Sequence, residues 1–398
     1  MTRSIARRTL ALLWVAALAT ACASNAKSGN NGSKTGSGPI VIGASMSLSG
    51  PIVLNTIRDG YQYAVDQVNA AGGLEVGGKK RKVELKILDN RTDTSTMVQQ
   101  VRSLILTDKA VGLLGSCCQQ NIAMQGQADA LKTPLVMGAL PVDLLPKGKG
   151  YAWDSFQALV DGAKGFYALA AQQPTNRKVV VVTGNDAPGL GTAQMWSGMG
   201  KSAGFQIVVR KAVPNGTVDF SDVIAAARGK SAQILVAAMA PPDCFAMWKQ
   251  MKALKYAPKL AIGIQCAQTP GWSSLGALGN GTLLQMNWTD TSGLPQAKQI
   301  VSKFGSKYSN ANDLASVALG IHEATILMNA ISKAGSTTAD AINRALATGS
   351  FNSALGPATF KDNHSTTPTF IGQWEDGKIK QVWPKVDGLT ISPLSGLG

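Results

Sequence analysis

The fold class that this 398-residue sequence predicts is α/β, in two Rossmann-like lobes. Three observations carry that expectation. Short β-branched runs alternate with longer amphipathic stretches, the pattern of parallel strands joined by crossover helices. The alternation starts afresh after Gly162. Once an N-terminal leader is set aside, about 375 residues remain, enough for about two domains, and 45% apolar residues can fill two cores.

In chain order, Ile40 to Ala44 reads as the first strand. Asp59 to Ala71 reads as its helix, because Tyr63, Ala64, Val68 and Ala71 share one face. Lys82 to Leu88 is the second strand, and Asp93 or Thr94 can cap a helix over Thr94 to Thr107. Strand Val111 to Leu114, helix Gln119 to Leu131 and strand Leu135 to Met137 continue the rhythm. The second cycle runs through helix Ala163 to Ala171, strand Val179 to Val182, helix Thr192 to Ala203, strand Ile207 to Val209, helix Phe220 to Arg228 and strand Ile234 to Ala238. Helix Cys244 to Leu254 and strands Leu260 to Ile264 and Thr282 to Met286 complete it. Helical stretches follow at Pro295 to Tyr308, Asp313 to Ala334 and Thr338 to Ala347. The tail reads as a hairpin, Thr369 to Trp374 and Ile379 to Trp383, turning at Asp376-Gly377.

The chain opens with Arg3, Arg7 and Arg8, an apolar run from Thr9 to Ala21, and Cys22. The run is shorter than the roughly 20 residues a membrane span needs, so residues 1–21 read as a signal peptide. Ala19-Thr20-Ala21-Cys22 resembles a bacterial lipobox, which implies lipidation of Cys22; an ordinary cleavage site beside a cysteine is the alternative. Residues 22–37, rich in Ser, Gly, Asn and Lys, read as a flexible tether. The expected location is extracytoplasmic, anchored to the outer face of the cell membrane. No later segment reads as a membrane span.

Loss of the three leader arginines would lower the formal net charge from +15 to +12. The one dense basic run, Lys79-Lys80-Arg81-Lys82, reads as a solvated loop rather than a nucleic-acid footprint, so no nucleic-acid partner is expected. Two histidines and no zinc-type cysteine spacing argue against a metal site. Gly73 to Lys79 nearly matches a phosphate-binding loop. The residue after the lysine is Lys80, however, and the segment runs from helix to strand, so a turn is the better account. No Gly-x-Ser-x-Gly elbow occurs, and His322 falls inside a long helix, where a packed or half-exposed ring is expected rather than a base. Neither an enzyme nor a cofactor is expected.

In open α/β sheets, ligands sit beyond the carboxyl ends of the strands. The loops to search are therefore Ser45 to Asn55, Ser116 to Asn121, Gly138 to Val142, Gly184 to Gly189, Met239 to Asp243 and Gln265 to Gln268. Their small and neutral polar residues suit a small-molecule cleft. The candidate contacts are Ser49, Asn55, Cys118, Gln119, Gln120, Asn121, Ala139, Leu140, Asn185, Asp186, Gln265 and Cys266. Asp186 is as well suited to capping a helix. Cys117-Cys118 can bridge each other, pair elsewhere or stay free and buried. A Cys244–Cys266 bridge requires Cα atoms within about 7 Å. Of Trp153, Trp196, Trp248, Trp272 and Trp288, most are expected in the cores.

Ile42-Gly43-Ala44 before Leu48-Ser49-Gly50-Pro51, Asn69-Ala70-Ala71-Gly72-Gly73-Leu74, Lys82-Val83-Glu84-Leu85 before Asp89, Val111-Gly112-Leu113-Leu114-Gly115, and Leu355-Gly356-Pro357 before Phe360 follow one another in a familiar order. Together they resemble the type I periplasmic binding proteins, in particular the Leu/Ile/Val-binding group of ABC transporters. The resemblance implies a Venus-flytrap fold with three crossings, near Gln157, Thr289 to Thr291 and Lys361. Lobe 1 would combine 38–157 with 291–362, and lobe 2 would combine 158–290 with 363–398. It also implies a monomer that serves an ABC permease and its ATPase subunits; a separate receptor reading the closed form is the other use of such a module. The family's hydroxyl positions for an amino-acid carboxylate fall here on Gln119 and Val142, and its acidic position for the ammonium on Gln265. Its aromatic positions fall on Pro188 and Ala240. Those departures point to a small polar solute, amide-, urea- or carboxylate-like or a variant amino acid.

Overall fold

The computed structural model describes residues 38–397, except 117, 139–147, 157–158, 265, 291, 309–310 and 385–389, and leaves out the side chains of Cys118, Gln119, Leu159 and Pro270. The leader, Cys22, the tether, Cys117, Ala139, Leu140, Val142, Gln157, Gln265 and Thr291 lie outside the described residues.

The first half-sheet is built from β1 (Ile40–Met46), α1 (Asn55–Ala70), the short strands β2 (Leu74–Val76) and β3 (Lys79–Arg81), β4 (Val83–Asp89), α2 (Thr94–Leu106), β5 (Gly112–Leu114), α3 (Cys118–Ala130), β6 (Leu135–Met137) and β7 (Ala152–Asp154). The second cycle follows as α4 (Leu159–Ala171), β8 (Lys178–Gly184), α5 (Ala187–Ser202), β9 (Gln206–Val213), α6 (Ser221–Gly229), β10 (Ile234–Ala238), α7 (Pro241–Ala253), β11 (Leu260–Gly263) and β12 (Leu283–Met286). The chain then returns through α8 (Ala297–Phe304), α9 (Ala311–Ala334), α10 (Ala339–Thr348), β13 (Phe351–Ser353), β14 (Gly356–Ala358), β15 (Phe360–Lys361) and β16 (His364–Ser365), and ends in β17 (Phe370–Glu375) and β18 (Lys378–Trp383).

Two seven-stranded sheets result, β15-β16-β7-β6-β5-β1-β4 and β18-β17-β12-β11-β10-β8-β9. In each, the five strands of the cycle are parallel and the second lies outside the first. The two lobes thus share one doubly-wound order, whose switch point falls between β1 and β5 in lobe 1 and between β8 and β10 in lobe 2. β17 adds antiparallel to β12, so the tail closes the second sheet.

Three features depart from the sequence expectation. Gly73 to Lys79 is a β2–β3 hairpin rather than a plain turn, made possible by left-handed Gly77 and Gly78 at φ 59° and 76°. Its basic run does not simply face solvent: Lys80 Nζ donates to the Ala71 carbonyl at 2.9 Å and Lys82 Nζ to that of Asn69 at 2.6 Å. Cations there satisfy the carbonyl end of α1. The third crossing comes later than Lys361, because His364 still pairs with Asp154 in the first sheet and the chain reaches the second only at Phe370.

α9 is long and apolar enough by composition to cross a membrane, which the sequence reading did not foresee. It is instead the core helix of lobe 1, buried over most of its length. Apolar residues all round suit a helix covered on most sides. It crosses α1 at Gly60 and Gly320, where a Cβ on either glycine would lie 2.3 Å from a carbonyl oxygen of the other helix. Only glycine permits that approach. Trp196, Trp248, Trp272 and Trp288 are fully buried in the cores, and Trp153 is nearly so.

Candidate ligand-binding site

At the lobe 1 switch point the residues beyond the strands bind one another. Gln120 Oε1 accepts from Ser47 Oγ at 2.9 Å and Ser116 Oγ at 2.8 Å, while Asn90 Oδ1 accepts from Ser47 Oγ at 3.0 Å. Asn121 Oδ1 accepts from the Ser116 N–H at 2.8 Å, and its Nδ2 donates to the Gly138 carbonyl at 2.6 Å, tying the end of β5 to that of β6. All five side chains are buried. Of the candidate contacts, Gln120 and Asn121 are therefore committed to internal bonds. Buried amides need such partners, because an unmade bond costs the full desolvation of the group.

Ser49 is exposed and donates to the Asp89 carboxylate at 2.6 Å, and Asn55 opens α1, half-buried. In lobe 2, Asn185 is exposed, and Asp186 caps α5 by accepting from the Gly189 N–H at 2.8 Å. Cys266 is fully buried and disulfide-bonded to Cys244 with the Cα atoms 6.2 Å apart, which removes it from the cleft surface.

A cavity of about 160 Å³ lies where the chain passes between the sheets. Its walls are Phe156 beyond β7, Gln285, Met286 and Asn287 at the end of β12, Gln268 in the turn after Cys266, and Asn312, Ala315, Ser316 and Leu319 on α9. It adjoins two of the searched loops, since Gln268 closes the Gln265 to Gln268 loop and Leu319 packs beside Gly138. No lysine, arginine, histidine or acid lines it among the described residues. Sequence reasoning missed Gln285, Asn287, Asn312 and Ser316. The available signal was Gln285 and Asn287 in and just after an otherwise apolar buried strand.

Beside this cavity, His322 on α9 ties two crossings together. Its Nε2 donates to the Ser155 carbonyl beyond β7 at 3.0 Å, Thr367 Oγ1 of the third crossing lies 3.4 Å from the same nitrogen, and Nδ1 accepts from Ser353. Burial holds the ring down to a pKa of about 4, so it is neutral. Its neighbour Glu323 is pushed up to about 8, first by burial and further by the charge of Asp154, and meets the Tyr61 hydroxyl.

Two sheets of the same strand order, joined by three crossings with a polar cavity among them, define a two-lobed solute-binding protein. The chain belongs to the family described as periplasmic binding protein, whose model matches residues 39–378. It is 22% identical over 388 residues to Leu/Ile/Val-binding protein homolog 7 of Brucella abortus, covering 91% of this chain and 95% of that one. The leucine-binding protein LivK of Thermotoga maritima shares its fold at a TM-score of 0.73 and 20% identity, over 86% of this chain and 97% of that one. A solute-binding protein of an R. palustris ABC transporter, solved with benzoate, does so at 0.69 and 18%, over 87% and 96%. Family and fold together place the chain among the periplasmic solute-binding proteins.

Proposed function

We propose that this chain is the extracytoplasmic binding lipoprotein of an ABC importer, anchored by lipidated Cys22, and that it takes a small polar organic solute between its lobes. The observation that carries the solute class is the cavity among the crossings, lined by neutral amides and a hydroxyl with no charged side chain among the described residues. A zwitterion there would leave its ammonium without a carboxylate, at a cost of several kcal/mol. Proteins of this fold have been solved in complex with solutes as different as leucine and benzoate, so the fold itself does not select the solute.

The test is a thermal-shift screen over amides, ureas, aromatic acids, amino acids and sugars. A true ligand at 100 times its Kd adds about 2.7 kcal/mol. A melting point unmoved by every class would sink solute binding; a response to amino acids alone would sink the solute class. Lipidation is read separately: Cys22→Ala should move the protein from the detergent phase to the aqueous phase, and no change in partition would remove the anchor.

A further inference from the structure

Asn287 stands immediately beyond β12, at the start of the second crossing, and only 5% of it is exposed. Its Nδ2 is buried and has no hydrogen-bond partner. An amide donor is rarely left so in a folded protein, since desolvation without a bond is costly. This one lines the cavity. Two other polar walls have acceptors to offer. Gln268 Nε2 already donates to the Gln285 carbonyl at 2.6 Å, and Ser316 Oγ to the Asn312 carbonyl at 2.9 Å, so both keep acceptor oxygens to offer.

A free donor facing acceptors complements a group that carries both a carbonyl oxygen and N–H. A carboxylate has only acceptors; it would satisfy Asn287 but meet the oxygens of Gln268 and Ser316 with its charge uncompensated. The volume, about 160 Å³, equals about five waters at liquid density, more than one orphan donor needs. We propose that this cavity is the subsite for an uncharged amide or urea group of the solute, with Asn287 Nδ2 donating to its carbonyl oxygen. The assignment rests on the solute-binding reading and narrows it. Because Asn287 belongs to a crossing and Ser316 to α9, occupancy also joins the second crossing to the core helix of lobe 1.

The experiment is calorimetric titration of the full chain with propionamide, urea and propionate, repeated on Asn287→Ala and on Ser316→Leu, which fills the cavity from α9. Thermal melts without ligand check that both variants fold. Wild type should bind propionamide or urea at least tenfold more tightly than propionate, and both variants should weaken that binding tenfold or more. Ser316→Leu keeps the test valid if Asn287→Ala does not fold. Propionate bound as well as propionamide, or amide binding untouched in the folded variants, overturns the subsite. If wild type binds an amino acid or aromatic acid and the variants bind it equally, the subsite falls while solute binding stands. If wild type binds no solute of any class, solute binding itself fails.

Discussion

At the switch point of lobe 1, Ser47, Asn90, Ser116 and Gln120 hold the strand ends by bonding to one another. At the matching place in lobe 2, a disulfide joins the helix after β10 to the turn after β11, Asp186 caps α5, and the Asp243 carboxylate accepts from the Gly216 N–H at 3.1 Å. One topology is thus rigidified by two chemistries. Lobe 1 relies on a closed polar network, in which each member depends on the others. Lobe 2 relies on a covalent link and on separate local bonds. Between them, at the second crossing, Asn287 is left with a donor to give. The difference teaches that a neutral amide near the cleft is no evidence of ligand contact by itself; what matters is whether its hydrogen bonds are already made.

The comparison breaks most readily at Gln120. Gln120→Leu removes the acceptor of two buried hydroxyls, and a loss of roughly 3 to 5 kcal/mol is expected in urea unfolding. A loss under about 1 kcal/mol would mean the network closes without it. Next in size is the lobe 2 link. Opening a loop with a sequence separation of 22 should cost about 3 kcal/mol, so dithiothreitol should lower the unfolding midpoint of wild type and leave Cys244→Ser unmoved. An equal response of both would put the effect elsewhere.

The pair beneath lobe 1 sharpens the contrast through pH. Glu323 titrates at about 8 when folded against 4.5 ordinarily, so its contribution is full below pH 4.5 and is lost as pH rises through 8. His322 titrates at about 4 against 6.5, so its contribution is full above pH 6.5 and is lost as pH falls through 4. The two slopes oppose each other between pH 4.5 and 6.5. From pH 6.5 to 8 Glu323 acts alone, and stability should fall by about 2 kcal/mol. Glu323→Gln should flatten that limb in a series of urea melts; an unchanged slope would assign the pH dependence to another group.

A smaller effect is expected at Asp186, where alanine should cost about 1 kcal/mol by uncapping α5. No change would show the cap to be replaceable by water. The smallest is Asn287→Leu without ligand, expected within about 0.5 kcal/mol of wild type or slightly stabilising, since it removes a buried donor that had no bond to lose. A loss as large as that of Gln120→Leu would erase the distinction between the closed network and the open donor.

Local periodicity made most elements legible. Strands Leu135–Met137 and Ile234–Ala238 are where alternation placed them, and the Asp376-Gly377 turn joins β17 to β18 with both residues left-handed, at φ 48° and 75°. What escaped was short or non-local. β7 is three residues long with little pattern, and β16, two residues long, is recognisable by its pairing with β15 and with Asp154. Among the candidate residues, the sequence marks loops at the strand ends but not which of their polar groups are already bonded. Gln120 and Asn121 look like ligand contacts in a strand-end loop, and only the positions of Ser47, Ser116 and Gly138 show their bonds already made.

By itself the sequence determined the two-lobed α/β architecture, because hydrophobic period and turn residues are local properties that every element carries with it. Tertiary structure alone decided which polar groups are spent and which remain. That is a matter of partners brought together from distant parts of the chain: Ser47 with Gln120, His322 with Ser155 and Thr367, and the Asn287 Nδ2 with none.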